Sequence, residues 1–289
     1  MSRGRAQVQA EDIARQHDEN FPVAFLLAPR DVRADMRAIY AYCRVTDDIG
    51  DAGVATHDER LEALDAWEQG LVRAMDGHGD DPVLVAVAGV IRRRRLPIDQ
   101  FTRLIEANRM DQRISRWESH EDLLHYCAHS ATPVGRMVLG VLGIDDARRV
   151  GLSDATCEGL QLVNFWQDVR RDRSAGRVYL PAEDMARHGV DEATLDGTEA
   201  TGAFRSLLRD EVAWARSLFD GGAALRREAP PPLRAAIGLF LAGGRAVADS
   251  IEAAGFDTLS ARPTLGPWRK AGLAARAAAG IAWSSFTGA

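Results

Sequence analysis

The sequence predicts an all-α protein, and three observations carry that prediction. Apolar residues recur at helical spacing from one end of the chain to the other. No block of alternating β-branched residues has the pattern of a strand. Capping motifs, prolines and glycines separate the periodic stretches. With 289 residues the chain is long enough to bury a large core, and we expect a single domain over residues 1–289.

Four short motifs mark helix starts in the first half of the chain. Thr56 and Ser119 are hydroxyl N-caps followed three residues later by an acid, as in a capping box. Asp81-Pro82 and Leu96-Pro97 place a proline at the first helical position, where its missing N–H costs nothing. We therefore expect helices to begin at these four places.

Longer periodic stretches predict the remaining helices. They run over about Val32–Asp51, Asp154–Asp172, Phe204–Arg227, Leu233–Gly255 and Thr264–Ile281. Pro230-Pro231-Pro232 is interpreted as a corner between two helices rather than a domain linker. The alanine-rich tail from Ala271 to Trp283 is expected to pack as a last helix, with a position on a bilayer surface as the alternative.

Composition and charge exclude several classes of protein. Hydrophobic residues make up 46% of the chain and charged residues 27%, which is typical of a globular domain and not of a disordered one. The formal net charge of −6 argues against a general nucleic-acid binder. We expect the basic run Arg92–Arg95 to be the solvated end of a helix, and contact with anionic lipid headgroups is the alternative.

Cysteine usage and hydropathy indicate the compartment. Cys43, Cys127 and Cys157 are odd in number and form no CxxC pair, which suits reduced thiols in a cytosol. The first residues show no apolar signal-peptide core, and no apolar run reaches the length of about 18 residues that spans a membrane. The sequence therefore predicts a cytoplasmic protein.

One stretch in the middle of the chain carries an acidic stripe inside an apolar helix. Gln161, Asn164, Asp168 and Asp172 share one face of the predicted helix. The rest of its surface is apolar, with Leu160, Leu162, Val163, Phe165, Trp166 and Val169. Two carboxylates at i and i+4 repel each other, so we expect a cation near them. The alternative is a half-exposed helix whose acids align by chance.

A second stripe lies on the first long helix. Tyr40, Arg44, Asp47 and Asp51 are spaced four, three and four residues apart and share a face. Two such helices aimed at a common cavity are expected to hold Mg²⁺ through oxygen ligands, with open positions for water and a phosphate-bearing ligand. Arg44 would meet the phosphate oxygens. A metal that neutralises a diphosphate makes it a better leaving group, so the implied reaction is ionisation to a carbocation.

With these motifs in place, the chain resembles the squalene and phytoene synthase family of head-to-head isoprenoid enzymes over about Gln16–Gly255. The matching pieces are Asp47-Asp48-Ile49-Gly50-Asp51, Tyr126-Cys127 followed by Pro133-Val134-Gly135, Gln161 with Asn164, Asp168 and Asp172, and Gly176-Arg177-Val178-Tyr179-Leu180-Pro181. This resemblance implies a single-domain isoprenoid synthase fold, with helices around a deep central cavity.

The resemblance also implies roles for individual residues. Several Mg²⁺ ions bridging the diphosphate would be bound by Asp47, Asp51, Asn164, Asp168 and Asp172. Diphosphate contacts would come from His17, Asn20, Phe21, Arg44, Arg171 and Arg177. The reaction cavity would be lined by Tyr40, Tyr126, Gln161 and Tyr179, whose hydroxyls, amide and aromatic faces can steer and stabilise a cation. We expect the loop Arg173–Pro181 to cover the anionic ligand.

Departures from the family pattern point to one branch. Family members that condense two prenyl diphosphates often have a basic residue and a serine where this chain has Glu19 and Asn20, and relatives often have arginine where it has Gln167. The phrases around Asn20, Ser130 and Asn164 most resemble the hydroxysqualene synthase branch of bacterial hopanoid and squalene pathways. That branch takes presqualene diphosphate as its substrate.

The expected reaction is therefore Mg²⁺-dependent ionisation and rearrangement of presqualene diphosphate, with water capture to give hydroxysqualene and without NADPH. We also expect peripheral membrane contact and handover of the apolar product to other squalene-pathway enzymes, and no nucleic-acid partner. Two alternatives stay open, namely a presqualene diphosphate or squalene synthase that condenses two farnesyl diphosphates, and a non-catalytic helical partner protein. A zinc hydrolase at His125 and His129 is disfavoured because the HExxH glutamate and a third ligand are missing.

Overall fold

The computed structural model describes residues 30–266, and helices connected by short loops make up most of this part of the chain. Within it lie thirteen helices and no strand; one isolated bridge joins Arg116 and Val178. The helices are α1 Arg30–Gly50, α2 His57–Met75, α3 Pro82–Arg94, α4 Asp99–Arg113, α5 His120–Ser130, α6 Thr132–Val141, α7 Ala147–Gln167, α8 Val169–Ser174, α9 Ala182–His188, α10 Glu192–Leu195, α11 Gly202–Gly222, α12 Leu225–Glu228 and α13 Pro231–Ala253. The predicted all-α class is confirmed.

The helices form two compact units. Of the described residues, the first unit contains 30–113 and 133–150, and the second contains 114–132 and 151–266. In the first unit α1 packs against α2, α3 and α4. In the second unit α11 packs against α9 and α13. The expectation of a single domain stays a prediction.

An aromatic anchor fixes α1 within the first unit. Tyr42 of α1 is fully buried, with its ring stacked on Trp67 of α2 at 5.8 Å and edge-on to Phe101 of α4 at 5.4 Å. Its hydroxyl donates to the carbonyl oxygen of Phe101 at 3.0 Å, and Trp67 Nε1 donates to Thr46 Oγ1 at 2.9 Å. The buried polar groups of Tyr42, Trp67 and Thr46 are therefore all hydrogen-bonded, and these bonds fix the position of the C-terminal half of α1.

The basic run ends a helix, as predicted, but it is bonded to neighbouring helices. Arg92 donates to the last two carbonyl oxygens of α2, at 3.0 and 2.8 Å. Arg93 and Arg94 both bind the buried carboxylate of Asp35 on α1, each at 2.6 Å. Arg95 ends α3 in the left-handed conformation, with φ of 53°. The run thus ties α3 to α1 and α2.

A buried phenylalanine sets the spacing of three helices in the second unit. Phe219 of α11 is fully buried between Gly159 of α7 and Gly244 of α13. A methyl group on Gly159 would lie 2.9 Å from the ring, and one on Gly244 would lie 2.5 Å from it. Both glycines are therefore needed for the ring to fit, and the ring in turn positions α7.

The predicted helix Asp154–Asp172 is broken once, which corrects the expectation of a continuous element. α7 ends at Gln167 and α8 begins at Val169, with Asp168 at φ −104° and ψ 14°. The amide of Asp168 still donates to the Asn164 carbonyl at 3.0 Å, and the amide of Asp172 donates to the Asp168 carbonyl at 2.9 Å. Because bonds at helical spacing continue across the junction, the periodicity of the sequence does not reveal the break.

The helix starts agree closely with their sequence signals. Capping boxes are present at Thr56 and Ser119, and Asp81 caps α3 with proline at its first position. The exception is Pro97, since α4 begins at Asp99 after a turn in which the carbonyl of Pro97 accepts from an amide three residues on. Here the proline precedes the helix.

The later helices also differ from the expectation in detail. The stretch predicted over Phe204–Arg227 divides into α11 and α12, and the prolines begin α13, which confirms the predicted corner. Residues 264–266 are not helical, while the rest of the helix predicted to Ile281 and the tail Ala271–Trp283 lie outside the described residues. Among helices in residues 30–266, none has the length and hydropathy needed to cross a bilayer.

Candidate active site

The first acidic motif lies at the C-terminal end of α1. Arg44 is 3.9 Å from Asp47 Oδ2 and 3.6 Å from Asp48 Oδ1, so it faces both carboxylates. Loss of hydration raises the pKa of Asp47 to about 6, against the opposing effect of Arg44. The Asp47 side chain is still 49% exposed, which leaves it within reach of water and a cation. Asp51 follows α1 directly, and its amide donates to the Asp47 carbonyl at 2.8 Å.

An asparagine that the sequence reasoning missed supports this motif. Asn108 of α4 hydrogen-bonds the Asp47 carboxylate, and its Nδ2 donates to the carbonyl of Leu104 at 3.0 Å. A Cβ on Gly50 would lie only 1.9 Å from Asn108 Oδ1, so the close approach of α4 requires a glycine there. Gln112 Nε2 also donates to the Gly50 carbonyl at 3.1 Å. Gly50 inside the acidic motif was the available signal for this contact.

The second acidic motif crosses the junction of α7 and α8. Asn164 is exposed, while Gln161, Asp168 and Asp172 are partly buried. The rest of this helical surface is buried, as predicted, at Leu162, Val163, Phe165, Trp166 and Val169, with Leu160 intermediate. The polar stripe is therefore the face of the helix that a ligand can reach.

A cation was expected near Asp168 and Asp172, and in the structure the guanidinium of Arg262 lies there. Its Nε donates to Asp168 Oδ1 at 2.5 Å, and its Nη2 donates to Asp168 Oδ2 at 3.0 Å. The negative charge of Asp172 also acts on this guanidinium. Arg262 is 94 residues further along the chain than Asp168, and sequence spacing gave no indication of the contact.

Four aromatic rings gather beside the second motif, within the second unit. Phe165 of α7 stacks on Tyr179 at 3.8 Å with an interplanar angle of 5°. Tyr126 of α5 lies 5.9 Å from Phe165 and 5.8 Å from Tyr179, and Trp117 lies 4.9 Å from Tyr126. The structure thus brings together two predicted cavity residues and adds Phe165 and Trp117. Such ring faces can stabilise a positive charge by cation–π attraction.

The loop after α8 is anchored alongside this ring cluster. The amide of Val178 donates to the Ser115 carbonyl at 2.9 Å, and the amide of Ala182 donates to the Trp117 carbonyl at 2.9 Å. These bonds hold Tyr179 in its buried position. Whether the loop covers an anionic ligand stays a prediction.

The remaining predicted site residues lie on α1, on α8, in the loop after α8, or outside the described range. Tyr40 is buried on α1, Arg171 is exposed on α8, and Arg177 is partly buried in the loop. The three N-terminal residues predicted to contact diphosphate, His17, Asn20 and Phe21, lie outside the described residues. Their contacts with diphosphate, and the deep central cavity itself, stay predictions.

A buried ionic cluster in the second unit was not predicted. His120 Nε2 lies 3.0 Å from Asp184 Oδ2 and 3.1 Å from Glu211 Oε2, and both carboxylates are almost completely buried. Arg187 pairs with the other oxygen of Asp184, and the indole of Trp214 stacks on His120 at 3.7 Å. His120, Asp184 and Glu211 are close enough to hold a metal, but His120 and Arg187 already pair with the two carboxylates.

This cluster predicts a pH-dependent stability. Loss of hydration lowers the pKa of His120, but the hydrogen bond to Glu211 and the negative charges of Glu211, Asp184 and Glu183 together outweigh it, so the pKa lies above its ordinary value of 6.5. Burial likewise raises the pKa of Glu211. Both groups hold protons more tightly in the folded state, so their stabilisation is complete below the unfolded pKa values and is lost as the pH rises through the folded ones.

We therefore expect the melting temperature to fall more steeply above pH 6.5 in the wild type than in His120→Gln. Thermal melts between about pH 6 and pH 9 measure this difference, and the exposed His78→Gln is the matched control. Parallel profiles for the wild type and His120→Gln would show that the cluster does not titrate as described.

His125 and His129, weighed above as zinc ligands, have an ordinary helical arrangement. Their rings lie 4.8 Å apart, and His129 Nδ1 lies 2.9 Å from the carbonyl oxygen of His125. Among the residues from 30 to 266, they do not belong to the group of side chains close enough to hold a metal.

The chain is similar in sequence to squalene and phytoene synthases. A sequence model of squalene/phytoene synthases matches residues 14–269. The 15-cis-phytoene synthase of Synechococcus elongatus is 31% identical over 285 residues, which cover 93% of this chain and 91% of that protein. Phytoene synthase 3 of Zea mays is 32% identical over 261 residues, 87% of this chain. The chain spans 60% of the length of the maize protein and 64% of phytoene synthase 1 of Arabidopsis thaliana.

Solved structures are similar over most of their length. The crystal structure of squalene synthase HpnC from Alicyclobacillus acidocaldarius is 40% identical, with a TM-score of 0.82, and the match covers 87% of this chain and 94% of that one. A dehydrosqualene synthase crystallised with a ligand is 24% identical, with a TM-score of 0.85 over 96% of both chains, and shows the same fold. These similarities confirm the predicted isoprenoid synthase fold.

Proposed function

The chain belongs to the squalene/phytoene synthase family, and on that premise we propose that it converts presqualene diphosphate and water to hydroxysqualene and diphosphate. The main support for a squalene-type substrate is the sequence identity to squalene synthase HpnC, which is 40% over 94% of that chain. The identity to the Synechococcus phytoene synthase is 31%. The resemblance of Gln167 and its neighbours to the hydroxysqualene branch favours water over hydride.

The donor set of the two acidic motifs fits Mg²⁺. Mg²⁺ prefers oxygen ligands, and each motif offers them from side chains that solvent reaches. The proposed ligands are Asp47, Asp51, Asn164, Asp168 and Asp172. Bound Mg²⁺ would neutralise the charge that develops on a departing diphosphate. Carboxylates such as Asp47, whose pKa is raised only to about 6, are mostly ionised near neutral pH and can act as ligands.

The residues of the chain have separable roles in the proposed reaction. The C–O bond of presqualene diphosphate breaks with its electron pair leaving on the diphosphate, which Arg44, next to Asp47, would bind. The carbocation then rearranges, and Tyr126 and the outer ring faces of the Phe165–Tyr179 stack would stabilise it. Water forms the new C–O bond and gives up its proton to solvent.

A second candidate is the condensation of two prenyl diphosphates. It is favoured by the 31% identity to a 15-cis-phytoene synthase across 91% of that protein. A squalene synthase would also need hydride from a reduced nicotinamide. The two candidates share the metal motifs and differ in how many diphosphates they must bind, so substrate identity separates them.

The test is to incubate the purified protein with presqualene diphosphate, farnesyl diphosphate or geranylgeranyl diphosphate, each with Mg²⁺ and without NADPH. Hydroxysqualene from the first substrate alone, carrying ¹⁸O when the reaction runs in labelled water, is the expected result. Consumption of farnesyl or geranylgeranyl diphosphate would favour condensation. Full activity in excess EDTA would contradict the metal site, and no turnover of any substrate would favour a non-catalytic partner.

Asn108 provides a prediction for the first motif alone. Asn108→Ala removes the hydrogen bond that orients Asp47, and loss of such a supporting contact typically weakens metal binding by about 10–100-fold. Mn²⁺ titration and the Mg²⁺ dependence of turnover measure the effect. The exposed Gln69→Ala on α2 is the matched control, and unchanged metal affinity in Asn108→Ala would show that Asp47 needs no such support.

A further inference from the structure

The segment after α13 is bound to the junction of α7 and α8, and we call its residues 259–266 the strap. Arg170 of α8 donates to the Leu259 carbonyl at 2.7 Å. Gln167, the last residue of α7, donates through Nε2 to the Pro263 carbonyl at 2.5 Å. Arg262 of the strap returns the contact by donating to Gln167 Oε1 at 2.9 Å and to Asp168. The strap is thus held at its first residue, Leu259, and again at Arg262 and Pro263.

The side chain of Gln167 supplies both the donor and the acceptor that its two contacts need. It is 5% exposed, and its amide donates to a backbone carbonyl while accepting from Arg262. An arginine at this position would offer donors only and would repel Arg262, whereas a glutamate would offer acceptors only. The neutral residue that departs from the family pattern therefore matches the strap chemically.

Arg262 grips Asp168 with two parallel N–H groups. In this bidentate geometry each carboxylate oxygen accepts one hydrogen bond, and a permanent positive charge lies beside Asp168. A divalent cation bound to Asp168 needs the same oxygens and is repelled by the same charge. Arg262 and the cation therefore oppose each other at this carboxylate.

We propose that Gln167 is a positioning residue that sets Arg262 on Asp168, and that Arg262 competes with a divalent cation for that carboxylate. The inference rests on the proposed function, because it assigns a regulator to the second metal motif. When a divalent cation binds to the second motif, the hydrogen bonds from Arg262 to Asp168 would break, and the strap would be held less firmly. Arg170 holds the strap through backbone carbonyls and leaves Asp168 untouched, so the strap stays attached at that end.

The test uses Mn²⁺ as the probe and the full chain without substrate, with free Mn²⁺ followed by electron paramagnetic resonance. Arg262→Gln is expected to bind Mn²⁺ about tenfold more tightly than the wild type, and Gln167→Met to show a smaller shift in the same direction. Arg216→Gln, which removes an arginine paired with Asp249 and Glu252 on the surface, is the matched control and should bind as the wild type does.

Hydrogen exchange over residues 259–266 gives a readout independent of metal affinity. Exchange there should rise in Gln167→Met without metal, and in the wild type when Mn²⁺ is added. Unchanged exchange in Gln167→Met would overturn its positioning role. Wild-type Mn²⁺ affinity in Arg262→Gln would overturn the competition.

One further variant separates this inference from the proposed function. If Asp168→Asn loses Mn²⁺ binding while Arg262→Gln is unaltered, the metal site stands and the inference is wrong. If Asp168→Asn binds Mn²⁺ as the wild type does, Asp168 is no ligand and the inference fails, while the substrate test of the proposed function is unaffected.

Discussion

Replacing Asp168 by asparagine is expected to reduce the turnover of presqualene diphosphate by about 10²–10³-fold. Asparagine keeps the size of the side chain and one oxygen acceptor, but it removes a negative charge that strengthens the binding of Mg²⁺. The remaining oxygen can still accept from Arg262, so the local fold should persist. Steady-state turnover at saturating Mg²⁺, with circular dichroism as a check on folding, measures the effect.

Asp220→Asn is the matched control for this substitution. Asp220 lies on α11 with a side chain that is 75% exposed, and it pairs with Arg245 at the surface. Turnover of this variant should equal that of the wild type. If Asp168→Asn also retained activity within about threefold, the acidic stripe would have no catalytic role, and a non-catalytic helical partner would become the better interpretation.

Replacing Phe219 by alanine should lower the free energy of unfolding by about 3–5 kcal/mol. The ring is fully buried, and its neighbours Gly159 and Gly244 have no side chains that can move into the space left behind. A cavity between α7, α11 and α13 would therefore remain. Urea unfolding followed by circular dichroism measures the loss.

Phe219→Leu separates lost volume from lost contact. Leucine keeps part of the apolar surface, so its destabilisation should be clearly smaller than that of alanine. A loss below about 1 kcal/mol for Phe219→Ala would mean that the three helices close the gap, and that the glycines do not fix their spacing.

Local sequence signals predicted most of the helices. The capping boxes at Thr56 and Ser119 and the Asp81-Pro82 start depend on hydrogen bonds within one turn, so the residues that make them are adjacent in the sequence. The break at Asp168 was missed because its flanking bonds keep helical spacing. The contacts that hold this junction come from the strap, and no local pattern contains them.

In the candidate site, too, the sequence predicted the local arrangement but not the contacts made by distant residues. Asp47 and Asp168 each belong to a stripe of polar residues at helical spacing, and the sequence alone predicted both stripes. Asn108 and Arg262 bind these two carboxylates from distant parts of the chain. The sequence required a cation near Asp168 on electrostatic grounds, but only the folded chain identifies which arginine provides it.

The bonding of the basic run changes how the charge of this protein is distributed. Asp35 and Asp31 together compensate Arg93 and Arg94, and the negative end of the α2 dipole receives Arg92. Four consecutive arginines therefore generate a much weaker long-range potential than their number implies. In a chain of net charge −6, this stretch offers little electrostatic steering toward anionic surfaces, and association through it should depend only weakly on ionic strength.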